Sequence, residues 1–368
     1  ILATHKSLFR LACHTSMEQW NLYIDEVPGV IKRHQITFEK GRIDAEKDEF
    51  LSLFDMTDTS NVTPKLGMKG YVERIANKDE SIGYRNRSDE LVALCSSVIN
   101  DNQVVTLCEP DNVSSAERLS FIAQLSHNAL GMYKKVTLLA ANTEHSILFK
   151  LWEHDGVKFI KRNSFKVVTS GHIAHKGEVH IYYLYENTFS KCKHTVPKES
   201  KESVESLFTV VPEFFNEIGV DWIFCTNKGA ESSIPSLLRK RKIKVVSHGL
   251  NCHSDKLGMA YLCAVNPDHV TAKFLESKGL TAGEIKRAMS AEGAYQSVCR
   301  TAVRNTESDG RHKYFVVGDK YTALFLQEYF HSSSVEKLHG LEQFEAKKSG
   351  RPSSDFTKKD KRKALSVL

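Results

Sequence analysis

Short apolar runs rich in β-branched residues alternate with longer amphipathic stretches along the chain, most regularly in its second half. The short runs have the length and composition of strands, and the longer stretches repeat their apolar residues at helical spacing. Strands and helices in alternation predict parallel sheets with crossover helices. The predicted strands are 21–25, 103–108, 135–141, 178–185, 221–226, 243–247, 259–265 and 313–317. The predicted helices are 202–218, 229–241, 268–278, 281–305 and 319–330.

This pattern predicts an α/β protein with two domains and a tail. Residues 166–332 alternate most cleanly and predict one doubly wound parallel-sheet domain. Residues 1–165 predict an incomplete domain of the same kind, in which about residues 31–130 form a mostly polar, helical insertion. Residues 333–368 lack apolar periodicity and are expected to form a disordered tail.

The charge is concentrated at the end of the chain. The protein has 51 basic and 45 acidic residues, a net charge of +6, and residues 346–368 hold eight of the basic and two of the acidic ones. The rest of the chain is therefore neutral. A basic arm on a neutral body fits a nucleic-acid partner, and a solvated tail without a partner is the equal alternative.

Hydropathy and cysteine spacing exclude several classes of protein. No apolar run approaches the 18 or so residues of a membrane span, and no signal peptide is present. None of the eight cysteines forms a CxxC pair, which argues against a zinc ribbon or a disulfide framework. We therefore expect a cytoplasmic protein with reduced thiols and no membrane partner.

The segment LYIDEVPG (22–29) ends a predicted strand in two adjacent carboxylates, Asp25 and Glu26. The carboxyl ends of parallel strands face the crevice in which such sheets bind ligands. Asp25 is suited to hold a hydrated Mg²⁺ ion, and Glu26 is suited to deprotonate an attacking water. A helix N-cap is the alternative interpretation of the same two residues.

Two other predicted strands also end in polar turns. The turn 142–145 (NTEH) is suited to bridge a nucleotide site and a polymer site, and Thr226, Asn227 and Lys228 are suited to meet a phosphodiester backbone. Taken alone, each turn is better explained by ordinary capping of the following helix.

The segment VVSHGLNCHSD (245–255) is a strand that runs into a glycine-containing loop. Gly249 permits close approach of the backbone to a ligand, and Asn251 is suited to hydrogen-bond a ribose. His248 and His253 are five residues apart on a loop, which is poor spacing for a metal site.

The predicted helix 281–305 carries Gln296, Arg300 and Arg304 at offsets of four. On an ideal helix the two arginines lie about 40° and 80° around from the glutamine, so all three form one stripe. The stripe is either a solvated basic face or a pair of arginines directed at a polyphosphate.

Five segments, taken in order, resemble motifs II to VI of superfamily 2 DEAD/DEAH-like helicases, and in particular of helicases encoded by phages. The segments are LYIDEVP, TLLAANTEHS, FCTNK, SHGLN and YQSVCRTAVR. The resemblance implies two RecA-like domains and Mg²⁺-dependent ATP hydrolysis coupled to movement on nucleic acid, DNA in preference to RNA. It implies a role in phage DNA replication, recombination or repair in the host cytoplasm.

The resemblance also assigns roles to individual residues. The implied catalytic residues are Asp25, with Mg²⁺ held through water, Glu26, Gln296, Arg300 and Arg304. The implied nucleotide-binding residues are Gly249 and Asn251. The implied nucleic-acid-binding residues are Thr226, Asn227, Lys228 and, in the Gly-Arg-Pro of the tail, Arg351.

Three features depart from the family pattern. The phosphate-binding motif GxxxxGK[ST] is absent from the 368 residues. We therefore expect an N-terminal portion that carries this motif to precede Ile1. We also expect this fragment alone to bind ATP poorly. The usual last arginine falls seven residues after the glutamine, where this chain has Val303, and Arg304 follows at eight. The third motif lacks the common Ser-Ala-Thr.

Two other functions compete with a helicase. One is a nucleic-acid-binding protein that keeps a helicase-like fold without hydrolysing ATP, which the missing phosphate-binding motif favours if the chain is complete. The other is the motor subunit of a nuclease, which ranks last because no nuclease-type cluster of carboxylates and lysine is evident.

Overall fold

A computed structural model describes eleven stretches of the chain, and all structural statements below concern these residues. They are 17–25, 27–38, 43–58, 61–82, 88–108, 118–140, 142–161, 175–190, 207–245, 252–305 and 310–339. The chain divides into two compact units. The first comprises Ile1–Phe165 and Asn266–Met289, and the second comprises Lys166–Val265 and Ser290–Leu368.

Both units combine strands with helices. The strands are β1 Asn21–Asp25, β2 Ile31–Thr37, β3 Phe54–Asp55, β4 Thr63–Pro64, β5 Gln103–Leu107, β6 Arg118–Leu125, β7 Lys135–Leu139, β8 Val179–Tyr185, β9 Trp222–Thr226, β10 Gly258–Leu262, β11 Lys313–Asp319 and β12 Ser333–Lys337. The α-helices are α1 Ile43–Leu53, α2 Lys69–Ala76, α3 Asp89–Val98, α4 Ile147–His154, α5 Leu207–Glu217, α6 His269–Ser277, α7 Ala282–Lys286, α8 Glu292–Val298 and α9 Lys320–Gln327. No helix among the described residues has both the length and the apolarity that a membrane crossing needs.

In the first unit, β1 and β7 form a two-stranded parallel sheet in which Asp25 lies beside Leu139. The buried Ile24 joins Leu151 and Trp152 of α4 in one apolar core. The same core contains Leu275 of α6, which explains why residues 266–289 belong to this unit. The alternation of strands and helices had placed those residues in the second domain, which is wrong because their apolar face is buried here.

The insertion at 31–130 is an α+β element and not the helical one that its polarity predicted. Its sheet is antiparallel with the order β2-β6-β5, and β3 pairs with β4 in a short hairpin. Seven of the eight residues of β6 are buried, because Phe121 packs against Phe50 in the core of the insertion and Ile122 packs in the core around Ile24. The buried Ser120 and Gln124 interrupt the apolar run and hide the strand from hydropathy.

The second unit is built on a five-stranded parallel sheet with the order β12-β8-β11-β10-β9. Helix α5 packs on one face with the side chains of Phe224 and Leu262, and α8 and α9 pack on the other with Ile181 and Phe315. This arrangement confirms the prediction of an α/β protein with parallel sheets, since period-two burial of apolar residues places one core on each face.

Two predicted elements of the second unit are different in the structure. The helix predicted at 229–241 consists of two 3₁₀ segments, Lys228–Ser233 and Ser236–Arg241, because Pro235 separates them. Of the strand predicted at 243–247, residues 246 and 247 lie outside the described residues. Lys242, just before it, forms a parallel bridge with Phe224, and residues 243–245 are not a strand.

The first residues of the predicted tail form a strand, which contradicts the expectation of disorder from residue 333. Residues 333–337 form β12, which pairs with β8 along five residue positions, and the residues from 340 onward lie outside the described part of the chain. The sequence SSVEK is too polar to indicate a strand, and its backbone pairing with β8 decides the conformation.

Candidate functional site

The carboxyl edge of the parallel pair β1 and β7 brings two of the predicted polar segments together. Asp25 is the exposed last residue of β1, and its neighbour Leu139 ends β7 and leads into the turn 142–145. Glu26 lies outside the described residues. Carboxylate oxygens are the ligands that Mg²⁺ prefers.

The turn after β7 is held by its own hydrogen bonds. Asn142 adopts a left-handed conformation with φ 56°. The Thr143 hydroxyl donates to the carbonyl of Ala140 at 2.9 Å, and the Ser146 hydroxyl caps α4 by accepting from the backbone N–H of Phe149 at 3.2 Å. The capping interpretation therefore holds for Ser146, while the turn still presents Asn142 and His145 at the edge beside Asp25.

At the carboxyl edge of the second unit, Thr226 and Asn227 join two neighbouring strands. Thr226 is buried and donates its hydroxyl to the carbonyl of Leu262 at 3.2 Å. The Asn227 amide donates to the carbonyl of Ala264 at 3.1 Å and accepts from the Ala264 N–H at 2.7 Å. Both predicted nucleic-acid contacts are thus used to tie the end of β9 to β10, and Asn227 does not cap the following 3₁₀ segment with its side chain.

Lys228 is exposed at the same edge. A basic run that the motif comparison missed follows in the sequence RKRKIK (239–244). Within it, Arg241 binds Asp221 and Lys242 binds Glu231. The side chains of Arg239, Lys240 and Lys244 are exposed. Local charge density is the signal that reveals this cluster.

The stripe predicted for Gln296, Arg300 and Arg304 does not exist, because the helix ends before either arginine. The region 281–305 is divided into α7, a π-helical turn Arg287–Ala291, α8 and a 3₁₀ turn Ala302–Arg304. Three consecutive buried residues, 301–303, would require a helix buried all around, so the chain leaves the helix instead. The Thr301 hydroxyl closes the end by donating to the Val298 carbonyl at 2.7 Å.

The charges of both arginines act on the thiol of Cys299. Burial raises the pKa of Cys299 to about 12, and the hydroxyl of Tyr295 and the guanidinium groups of Arg300 and Arg304 act against this rise. Arg304 and Gln296 are exposed and Arg300 is half-buried. Both arginines therefore lie after the end of α8 and not on its surface.

The arginines and the Thr226–Lys228 turn lie at opposite ends of β10. The N–H of Ala302, between the arginines, donates to the carbonyl of Lys256 just before β10, whereas Asn227 binds Ala264 just after it. A five-residue strand at about 3.3 Å per residue separates these points by roughly 15 Å. The second unit therefore presents two separate polar regions.

A further polar cluster lies where the connections of the sheet diverge. The connection after β8 passes to β9, whereas the connection after β11 returns past β8 to β12, and such switch points are where open α/β sheets bind ligands. Here the Tyr183 hydroxyl donates to Glu186 at 2.7 Å and Lys320 donates to Glu186 at 3.1 Å. The hydrogen bond from Tyr183, followed by that from Lys320, lowers the pKa of Glu186. The sequence signal for this cluster is that polar residues, Glu186 and Lys320, follow the predicted strands 178–185 and 313–317.

Other predicted site residues cannot be placed in this geometry. Gly249, Asn251 and Arg351 lie outside the described residues. No protein-family model matches the chain, and no curated protein matches it. The functional assignment therefore depends on the residues and geometry above.

Proposed function

We propose that the chain is the motor region of an ATP-dependent nucleic-acid helicase or translocase, acting on DNA in preference to RNA, with two RecA-like units. The observation that carries the proposal is the parallel pairing of β1 with β7, with Asp25 beside Leu139. Asp25 and Leu139 end their strands at the same carboxyl edge, which supports the proposal because the order of the helicase motifs requires the segments after these strands to lie together.

In this proposal Asp25 holds Mg²⁺ through water, and Glu26 accepts a proton from the attacking water. The bound ion would neutralise charge on the phosphate groups of ATP. The helicase resemblance assigns Arg300 and Arg304 a role in ATP hydrolysis, which suits these residues because a guanidinium fork pairs with two phosphate oxygens.

The nucleic-acid contacts are reassigned to exposed basic side chains. Thr226 and Asn227 are engaged with β10, so Lys228, Arg239, Lys240 and Lys244 are the residues that we propose to meet the phosphodiester backbone. Such contacts position the polymer without reading its sequence, as a translocating protein requires.

The hydrolysis is tested by steady-state ATPase measurements on the protein as its gene encodes it. We expect ATPase activity that depends on single-stranded DNA. Asp25→Asn should abolish it by weakening Mg²⁺ binding, and Glu26→Gln should abolish it while nucleotide binding survives. Asp48→Asn, an exposed carboxylate of the first unit, serves as the matched control. Normal turnover by Asp25→Asn would refute the assignment.

The nucleic-acid interface is tested by fluorescence anisotropy with single-stranded DNA across a salt series. The triple variant Arg239→Gln, Lys240→Gln, Lys244→Gln removes up to three phosphate contacts, so the slope of log affinity against log salt should fall by about 2. The control removes three exposed lysines of the first unit, Lys69, Lys78 and Lys158. Equal slopes for the two triple variants would place the interface elsewhere.

A further inference from the structure

Three metal-ligating side chains converge at the amino-terminal edge of the sheet in the second unit. Glu178 directly precedes β8, His180 is its second residue, and His312 directly precedes β11. One ligand atom from each lies within 4.8 Å of the other two. We propose that Glu178, His180 and His312 form a binding site for a divalent transition metal of the Zn²⁺ type.

The parallel register of the sheet explains why these residues meet. Tyr314 of β11 and Ser334 of β12 both lie beside His180 of β8. One residue pair earlier, the N–H of Lys313 donates to the carbonyl of Glu178 at 2.9 Å, which brings His312 alongside. Residues two apart on a strand share a face, so both ligands from β8 project to the same side.

A glycine makes this close approach possible. Gly177 has φ +79°, and a Cβ atom there would overlap the carbonyl oxygens of Gly310 and Arg311. The segments before β8 and β11 therefore come together only because residue 177 has no side chain. The consequence is that Glu178 and His312 are held next to each other by the backbone.

The distances between donor atoms fit a tetrahedral ion. Nε2 of His180 lies 2.9 Å from Nδ1 of His312 and 3.7 Å from Oε2 of Glu178, and the His312 nitrogen lies 4.0 Å from the same oxygen. Metal–ligand bonds of about 2.0–2.1 Å at tetrahedral angles place donors roughly 3.3–3.4 Å apart. Shifts of a few tenths of an ångström in half-exposed side chains bring all three pairs to this value.

The second nitrogen of His180 has the partner that a metal-binding histidine needs. Its Nδ1 lies 3.1 Å from the Ser334 hydroxyl, and its ring stacks on Tyr314 at 5.0 Å. With the Nδ1 proton donated to Ser334, the Nε2 lone pair points at His312 and Glu178 and is available to a metal. The proton that joins the two imidazoles in the hydrogen-bonded state is the one that a metal ion would replace.

The donor set selects the class of metal. Two imidazole nitrogens and one carboxylate oxygen suit Zn²⁺, Co²⁺ or Ni²⁺, whereas Mg²⁺ and Ca²⁺ prefer oxygen ligands alone. Three protein ligands leave a fourth position for water, and the side chains of Glu178 and His312 are 61% and 50% exposed, so that position opens to solvent. The proposed site is therefore distinct in chemistry from the Mg²⁺ site proposed at Asp25.

The test uses Co²⁺ as a spectroscopic probe on the metal-stripped, tag-free chain. We expect one equivalent of Co²⁺ to bind with the intense visible absorption of a tetrahedral complex, to be displaced by Zn²⁺ and to resist excess Mg²⁺. His312→Gln removes a half-exposed ligand without disturbing a core and should weaken binding at least 10-fold. Ser334→Ala should weaken it about 10- to 100-fold through the orientation of His180.

His331→Gln is the matched control, because it removes an exposed histidine of the same unit that is not part of the cluster. It should leave the Co²⁺ titration unchanged. Circular dichroism verifies that each variant is folded. Absence of saturable tetrahedral absorption from the wild-type chain would overturn the proposal, and so would a titration that folded His312→Gln leaves unchanged.

Discussion

Asn227 provides the sharpest test of a structural role against a direct role in nucleic-acid binding. The motif comparison assigned it to the phosphodiester backbone, whereas the structure shows its amide making two hydrogen bonds to the backbone of Ala264 at 3.1 and 2.7 Å. Asn227→Ala removes both partners at once. We therefore expect this variant to lose stability in the sheet.

The magnitude follows from the groups left behind. Ala264 is only 4% exposed, so its N–H and C=O lose their partners in a nearly dry environment. A buried polar group without a partner costs about 1–3 kcal/mol, and water entering beside the half-buried Asn227 reduces the sum. We expect a total of about 2–4 kcal/mol, which is roughly a 30-fold to 700-fold change in the opening equilibrium.

Hydrogen exchange measured by mass spectrometry localises this effect to β9 and β10. Peptides that cover these strands should lose protection by that factor in Asn227→Ala, because exchange reports the free energy of opening. Lys228→Ala, the adjacent exposed side chain, should leave protection within about 0.5 kcal/mol of the wild type and weaken DNA binding instead. Unchanged protection in Asn227→Ala, together with weaker DNA binding, would refute the structural role.

Three other substitutions test local features of the structure. Burial lowers the pKa of His34 to about 4, so the unfolded state takes up a proton at a higher pH than the folded state does. The resulting stabilisation of about 3 kcal/mol is complete above pH 6.5 and is lost as the pH falls to 4. In urea unfolding across this range, the stability of His34→Gln should depend less on pH. The hydrogen bond from the Thr281 N–H lowers the pKa of Glu284 to about 2. The stabilisation from this carboxylate is therefore present above pH 4.5 and is lost as the pH falls towards 2. Glu284→Gln should remove that loss of stability in acid, and an unchanged loss would contradict the capping box. Thr301→Val leaves the Val298 carbonyl without its hydroxyl donor and should cost about 1–2 kcal/mol in thermal unfolding, while an unchanged melting temperature would show that the bond contributes nothing.

Hydrophobic patterning was sufficient for three strands of the parallel sheets. The predicted runs 21–25, 178–185 and 221–226 match β1, β8 and β9 to within one residue. Such strands are covered on one or both faces, so their own apolar and β-branched residues carry the signal. The sequence also indicated that carboxylates and polar turns would follow these strands, and Asp25 lies where that pattern placed it.

Polar strands could not be recognised in the same way. The strand β2 contains five polar or charged residues in IKRHQIT, and β12 is SSVEK. Each becomes a strand because a neighbour, β6 or β8, supplies the hydrogen-bonding partner. Their conformation is thus decided by pairing between distant segments, and local propensity does not record it.

The end of α8 shows most clearly what tertiary structure decided. Offsets of four between Gln296, Arg300 and Arg304 favour one continuous helix, and nothing local forbids it. The chain turns inward instead because residues 301–303 are buried, and because the N–H of Ala302 finds the carbonyl of Lys256. The sequence by itself determined that the second half alternates strands with helices and which residues carry charge. The core of each unit decided where α8 ends, which unit holds residues 266–289 and which polar side chains are exposed. The physical reason is that burial depends on contacts between segments far apart in the chain.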